Sequence, residues 1–328
     1  MVEIATLGPA SIDPAGDDAV LPFSVEGLDV RGRAIQMGPA LSALLARHDY
    51  PLPVSKLLGE AVVLAVLLGS SLKFDGQFLL QTQTDGPVDM LVVDYRTSGN
   101  IRAYARFKAE RVAEIEAEGL SKPELLLGKG ILAMTIDQGE FTSRYQGIVQ
   151  LDGASLEEVA HTYFQQSEQI PTIVRLAVAE MMTREDGGAA HSWRGGGLLV
   201  QYLPEASIGV HRDLSGGDAP EGLEHHAEEE DAWAEASSLV STVEDHELID
   251  PDVPAERLLY RLFHERGVRV FDPVPVREQC SCSRERIQGV LSSFSAEEIT
   301  ESIENGEIAV SCEFCGQKYA FDPQEFLG

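Results

Sequence analysis

Cysteine is scarce in this chain: there are four in 328 residues, all within the last 49. A secreted disulfide scaffold spreads its cysteines through a short chain, so that class is excluded. Clustered cysteines in a reducing compartment are metal ligands or redox centres. Basic residues are also few, with 25 Lys and Arg against 54 Asp and Glu and a net charge of −29. Such a chain repels nucleic acid and anionic membrane surfaces, which carry the same sign. Proteins or small ligands remain as partners. Long apolar runs are missing too. The longest, Ala61 to Leu68, is far shorter than the roughly 20 residues a bilayer requires. The N-terminal MVEIATLGPAS has no basic start followed by an apolar stretch and a cleavage site. The expectation is a soluble cytoplasmic protein with no membrane contact and no nucleic-acid partner. Familiar catalytic motifs are absent as well. Gly128-Lys129-Gly130 lacks the phosphate-loop frame, and no nucleophile elbow is present. Ser311 stands where the zinc deaminase signature has proline. No catalytic residue is assigned, and no enzyme is expected.

What is present suggests an α+β protein of a length that suits about two domains. Leu79 to Gln83, Met90 to Tyr95 and Ile101 to Phe107, separated by Asp85-Gly86 and Ser98-Gly99-Asn100, predict an antiparallel meander. Gly130 to Asp137 and Phe141 to Leu151 predict a hairpin around Gln138-Gly139. Val54 to Ser71 reads as a buried helix. Ser155-Leu156-Glu157-Glu158 is a capping box, and Leu156, Val159, Ala160, Tyr163 and Phe164 share the face of its helix. Ile173 to Met181 reads as a strand, and Gly195-Gly196-Gly197 leads into the apolar run Leu198 to Leu203.

The composition then shifts. Asp213 to Glu256 holds 15 acidic residues and no Lys or Arg. Its start, through Glu230, reads as loosely held, and Asp231 to Val243 as a helix with a thin apolar face. His225, His226 and His246 read as loop histidines, and Trp233 and Leu239 as docked on the core. Leu258, Leu259, Leu262 and Phe263 stripe a helix begun at Pro254 and stopped by Gly267. Val268 to Phe271 is a short strand. The boundaries are a core at 1–212, a linker at 213–272 and a cysteine module at 273–328.

Cys280-Ser281-Cys282 and Cys312-Glu313-Phe314-Cys315 pair a CxC with a CxxC, and no other cysteine is available. Four thiolates suit a structural zinc tetrahedron with no open position for a catalytic water. Gly316 supplies the turn after the knuckle. Ile308 and Val310, with Tyr319 and Phe321, predict a two-stranded ribbon. Between the pairs, Ile287, Val290, Leu291 and Phe294 follow helical spacing. Ser295-Ala296-Glu297-Glu298 is a second capping box, and Asn305-Gly306 ends that helix. Some 50 residues make a weak core, so metal binding, on the order of 10 kcal/mol, would supply much of the folding free energy. A disulfide within CxC would close a small strained ring, and such bonds are labile. Zinc thiolates are also the form that peroxide attacks. Two readings stand here: a redox switch, or a staple for the tail. A zinc-ribbon nucleic-acid binder or transcription accessory protein is the alternative. Arg277 to Gly328, with four basic and ten acidic residues, argues against it.

The chain resembles the redox-regulated chaperone family of heat-shock protein 33, a bacterial holdase. The stretches that carry the resemblance are Tyr163 to Thr172, Gly196 to Leu199, Leu259 to Glu265, Val268 to Phe271, Cys280 to Arg286 and Cys312 to Cys315. The resemblance implies an α+β core, a helical linker lying against it, and a zinc-binding redox domain with one Zn2+ per chain when reduced. It implies that oxidation pairs Cys280 with Cys282 and Cys312 with Cys315, releases zinc and unfolds the linker. The active form is then expected to be a homodimer that holds unfolding client proteins without ATP.

Overall fold

The computed structural model describes residues 2–3, 14–72, 75–120, 122–139, 144–185, 188–203 and 222–327. The fold is α+β and is organised around one apolar helix, Leu52–Gly69. From Ala61 to Leu68 that helix is apolar on every side, so this part must be covered on every side, while Lys56 near its start is exposed. Two sheets cover it. The first has seven strands. Its main path runs Val2–Glu3, Val268–Val270, Ala19–Val25, Val30–Met37, Gly188–Tyr202, Thr172–Glu185, all antiparallel. Val274–Pro275 adds to Ala19–Val25. The second sheet has six strands: Arg277–Glu278, Asn100–Phe107, Val88–Arg96, Gln77–Thr84, Lys129–Asp137, Tyr145–Asp152. The meander and the hairpin expected from the sequence are both in this sheet. Phe141, the expected start of the hairpin's second strand, lies outside the described residues.

By length and composition the Leu52–Gly69 helix could cross a membrane, but 83% of it is buried inside the protein. The glycine triplet explains how closely the layers pack. A Cβ on Gly195 would come within 2.8 Å of Leu41, and one on Gly197 within 2.5 Å of Val63. A Cβ on Gly196, on the opposite face, would be 2.0 Å from the Leu248 carbonyl oxygen. The first sheet is therefore pressed from both sides.

Its outer face carries Leu21, Phe23, Val25, Leu198 and Val200. Helices Gly222–Ser241, Asp245–Ile249 and Ala255–Phe263 cover that face with Ala236, Val240, Leu248, Leu258, Leu259, Leu262 and Phe263. Trp233 and Leu239 pack against this cluster, Trp233 with its ring 6.1 Å from Tyr202. The helix begins at Gly222, not at Asp231, so part of the acidic stretch expected to be loose is helical. The side chains of His225 and His226 lie outside the described ones. His246 is exposed beside Glu244, but on the helix Asp245–Ile249 and not in the loop expected from the sequence.

The Ser155 cap forms as expected: Ser155 Oγ accepts from the Glu158 amide, and Glu158 accepts from the Ser155 amide at 2.8 Å. His161 on that helix accepts from the Val174 amide at 2.8 Å. Burial holds its imidazole below the usual range, as a neutral acceptor requires.

Candidate metal centre

The cysteine module is small. Its buried apolar residues are Leu291, Ile299, Ile308 and Phe321. The expected ribbon is present, and it pairs Ile308 with Phe321 and Val310 with Tyr319. The Ser295 capping box is present. Two expectations fail. Val290, inside the helix Arg284–Leu291, and Phe294, beyond its end, are exposed at 55% and 43%, and Leu291 is the residue of that stripe that is buried. Asn305-Gly306 is not the helix end, since Ala296–Glu301 stops earlier. It is the turn between Glu304 and Glu307, with positive φ at both residues.

Local hydrogen bonds shape each cysteine pair. The Gly316 amide donates to the Cys312 carbonyl at 2.8 Å and the Cys312 amide to the Gln317 carbonyl at 2.9 Å. Gly316 has a φ of 68°, where a side chain would be strained. Ser283 caps the Arg284–Leu291 helix. Arg286 then reaches back to the Ser281 carbonyl and hydroxyl at 2.9 and 3.0 Å, closing the CxC loop.

These turns bring all four predicted site residues together. Cys280, Cys282, Cys312 and Cys315 are free thiols whose sulfurs lie within 4.8 Å of one another. The Sγ–Sγ distances are 3.7 Å for Cys280 to Cys312 and 3.4 Å for Cys282 to Cys315. An ion bound tetrahedrally by four thiolates at about 2.3 Å has sulfur–sulfur edges of about 3.8 Å. The cluster can therefore hold one thiophilic metal ion. Burial raises the Cys282 thiol, but hydrogen bonds from Tyr319, at 3.3 Å, and from the other thiols outweigh it and lower it to about 7. Burial pushes Cys280 up, and it pushes Cys315 up to about 12.

The module is attached to the second sheet. Arg277–Glu278 pairs in parallel with Asn100 and Ile101. Arg47 grips Glu278 through two hydrogen bonds of 3.0 and 2.7 Å. Phe314, in the knuckle, meets Arg102, Tyr104 and His48. Sequence reasoning missed these core residues. One signal was available: an aromatic between two converging ligands cannot also fill the module's interior, so it must face outward.

The fold and the site together define a two-sheet α+β protein carrying a docked four-thiol module. The model of the Hsp33 protein family matches residues 18–322. The chain is 46% identical over 310 residues to the 33 kDa chaperonin of Caulobacter vibrioides (strain NA1000 / CB15N), covering 94% of this chain and 95% of that protein. It is 35% identical over 303 residues to the 33 kDa chaperonin of Ectopseudomonas mendocina (strain ymp), covering 92% and 90%. The crystal structure of the 33 kDa chaperonin from Thermotoga maritima superposes with a TM-score of 0.72 at 18% identity, covering 94% of this chain and 96% of that one. The chain belongs to the Hsp33 family of chaperones.

Proposed function

We propose that the chain is a redox-regulated, ATP-independent holdase chaperone of the cytoplasm, without catalytic activity. The convergence of four thiols in a module with almost no core of its own supports this reading most directly. In the reduced protein Cys280, Cys282, Cys312 and Cys315 would hold one Zn2+ as thiolates. Zinc would supply a fixed cross-link that a four-residue apolar core cannot replace.

Oxidation joins Cys280 to Cys282 and Cys312 to Cys315. Each bond forms as two thiolates give up two electrons to one peroxide, which takes two protons from solvent and becomes two waters. Short sulfur–sulfur contacts of 3.7 and 3.4 Å run between the pairs, and a bond within each pair forms at the expense of these contacts. Disulfides carry no charge to hold a cation, so the module loses its cross-link. The core (1–212), linker (213–272) and module (273–328) then act in sequence. With the linker unfolded, Leu21, Phe23, Val25, Leu198 and Val200 lose their cover. An exposed apolar face of this kind binds non-native client chains. The active species is a homodimer, kept in solution by its charge of −29.

The test is light scattering from a heat-denatured client, with this protein either zinc-reduced or peroxide-treated under mild heat. Zinc release is followed in the same sample. Suppression of scattering only after oxidation, and in step with zinc release, supports the reading. Zinc release without protection of the client would leave the metal as a staple and defeat it.

A further inference from the structure

Phe314 lies in a built socket on the core. The Arg102 guanidinium lies 4.1 Å from the centre of its ring. Tyr104 meets it edge-on, with centroids 5.0 Å apart and planes at 85°. His48 Nε2 donates to the Phe314 backbone carbonyl at 3.2 Å. Core residues hold two of these walls in place. Asp94, 2% exposed, accepts from Arg102 Nε at 2.8 Å and fixes the guanidinium plane. His48 stacks on Tyr50 at 4.8 Å, and the Tyr50 hydroxyl accepts from the Ala105 amide of the same strand at 2.9 Å.

The socket therefore reads a π face, a ring edge and the carbonyl of the same residue. Any aromatic residue in an open chain offers these three features. A folded protein buries most of its large aromatics, whereas a non-native chain presents them. A guanidinium over a ring also rewards an aromatic over an aliphatic of similar size.

We infer that the Arg102, Tyr104 and His48 socket is a binding site for an aromatic residue of a non-native polypeptide, occupied by Phe314 while the cysteine module is docked. The occupant now seated there argues for this chemistry, because it is itself an aromatic on a turn of chain. The inference rests on the holdase reading for its biological setting, but the socket can be tested without oxidation.

The probe is a fluorescent, unstructured Gly/Ser/Asn peptide with one Phe, and a twin carrying cyclohexylalanine in its place. Binding is read by anisotropy to reduced, zinc-loaded wild type, Phe314→Ala, and Phe314→Ala with Tyr104→Ala. Removing an intramolecular competitor should strengthen Phe-peptide binding by about tenfold or more in Phe314→Ala. The twin should bind about two- to fivefold more weakly. The second substitution should cancel the gain. No gain in a Phe314→Ala protein that retains its zinc overturns the inference, as does equal binding of the two peptides. If Phe314→Ala sheds zinc, oxidised wild type is compared with oxidised Tyr104→Ala, and equal peptide affinity overturns it. If oxidised wild type fails to protect a client, the holdase reading falls, while a gain in reduced Phe314→Ala leaves the socket standing. If oxidised wild type and Tyr104→Ala protect a client and bind the peptide equally, only the socket falls.

Discussion

Glu60 shows how a single buried group can set a pH response. It lies on the Leu52–Gly69 helix beside a cavity shared with Glu124, Glu157, Arg175 and Asp245. Arg175 reaches Glu157 at 3.6 Å and Asp245, on a covering helix, at 3.0 Å. Burial lifts the Glu60 carboxyl from its ordinary 4.5 to about 7. Lys56 pulls it down, while Glu157, Asp245 and Glu124 push it further up. The folded protein thus holds a proton here that the unfolded chain has already lost between these values. Stability falls as pH rises through that window. Glu60→Gln removes the cost of the buried charge. It should stabilise the protein at pH 8 by up to about 3 kcal/mol, with the gain shrinking toward zero as pH falls below 5. Thermal midpoints of both proteins at pH 5 and pH 8 check this. An equal gain at both would mean that Glu60 is not the titrating group.

At the scale of elements, the contact between the first sheet and its covering helices is set by backbone approach. Gly196 leaves room for the Leu248 carbonyl oxygen, which would stand 2.0 Å from a Cβ at that position. Gln36, 8% exposed, donates toward the carbonyls of Leu248, Asp250 and Val253, the last at 2.9 Å. Arg194 donates to the Ile249 carbonyl at 2.7 Å. Gly196→Ala must displace backbone, at a cost of about 1–3 kcal/mol, and should lift the Asp245–Ile249 segment. Gln36→Leu should weaken the same contact by about 1–3 kcal/mol through unpaired carbonyls. Limited proteolysis should then cut residues 242–254 faster in both variants, with the second sheet still protected. Unchanged cleavage would mean that the apolar contacts alone hold the segment.

Much of this was legible from sequence because it is local. The Ser155 and Ser295 capping boxes need only a four-residue pattern, and the two-stranded ribbon needs only apolar pairs flanking a knuckle. The cysteine site needed only four thiols with nowhere else to go. What escaped is long-range or terminates early. The pairing of Arg277 with Asn100 joins distant parts of the chain. Nothing in the apolar spacing of Ile287, Leu291 and Phe294 tells that the helix stops at Leu291. Gly196 is needed because of a carbonyl that arrives from Leu248, which no local pattern announces.

For the whole molecule, the placement of the module decides how a loss of metal would spread. From Arg277 onward, the contacts of the module described above are with the second sheet and the loop at Arg47 and His48. The covering helices lie on the first sheet and are held there by Leu258, Leu259, Leu262 and Phe263, each less than 5% exposed. The two are joined by the chain through Val268–Val270 and Val274–Pro275, both hydrogen-bonded into the first sheet. A chelator acting on the reduced, metal-loaded protein should therefore unfold the module first, since its four-residue core cannot hold alone. The covering helices should stay down until mild heating breaks a second, separate contact. Hydrogen exchange at 25 °C should show residues 284–327 losing protection while 245–270 keep theirs. An apolar dye should bind only on further warming. Simultaneous loss of both regions in the cold would mean that the module clamps the covering helices directly, against the contacts described.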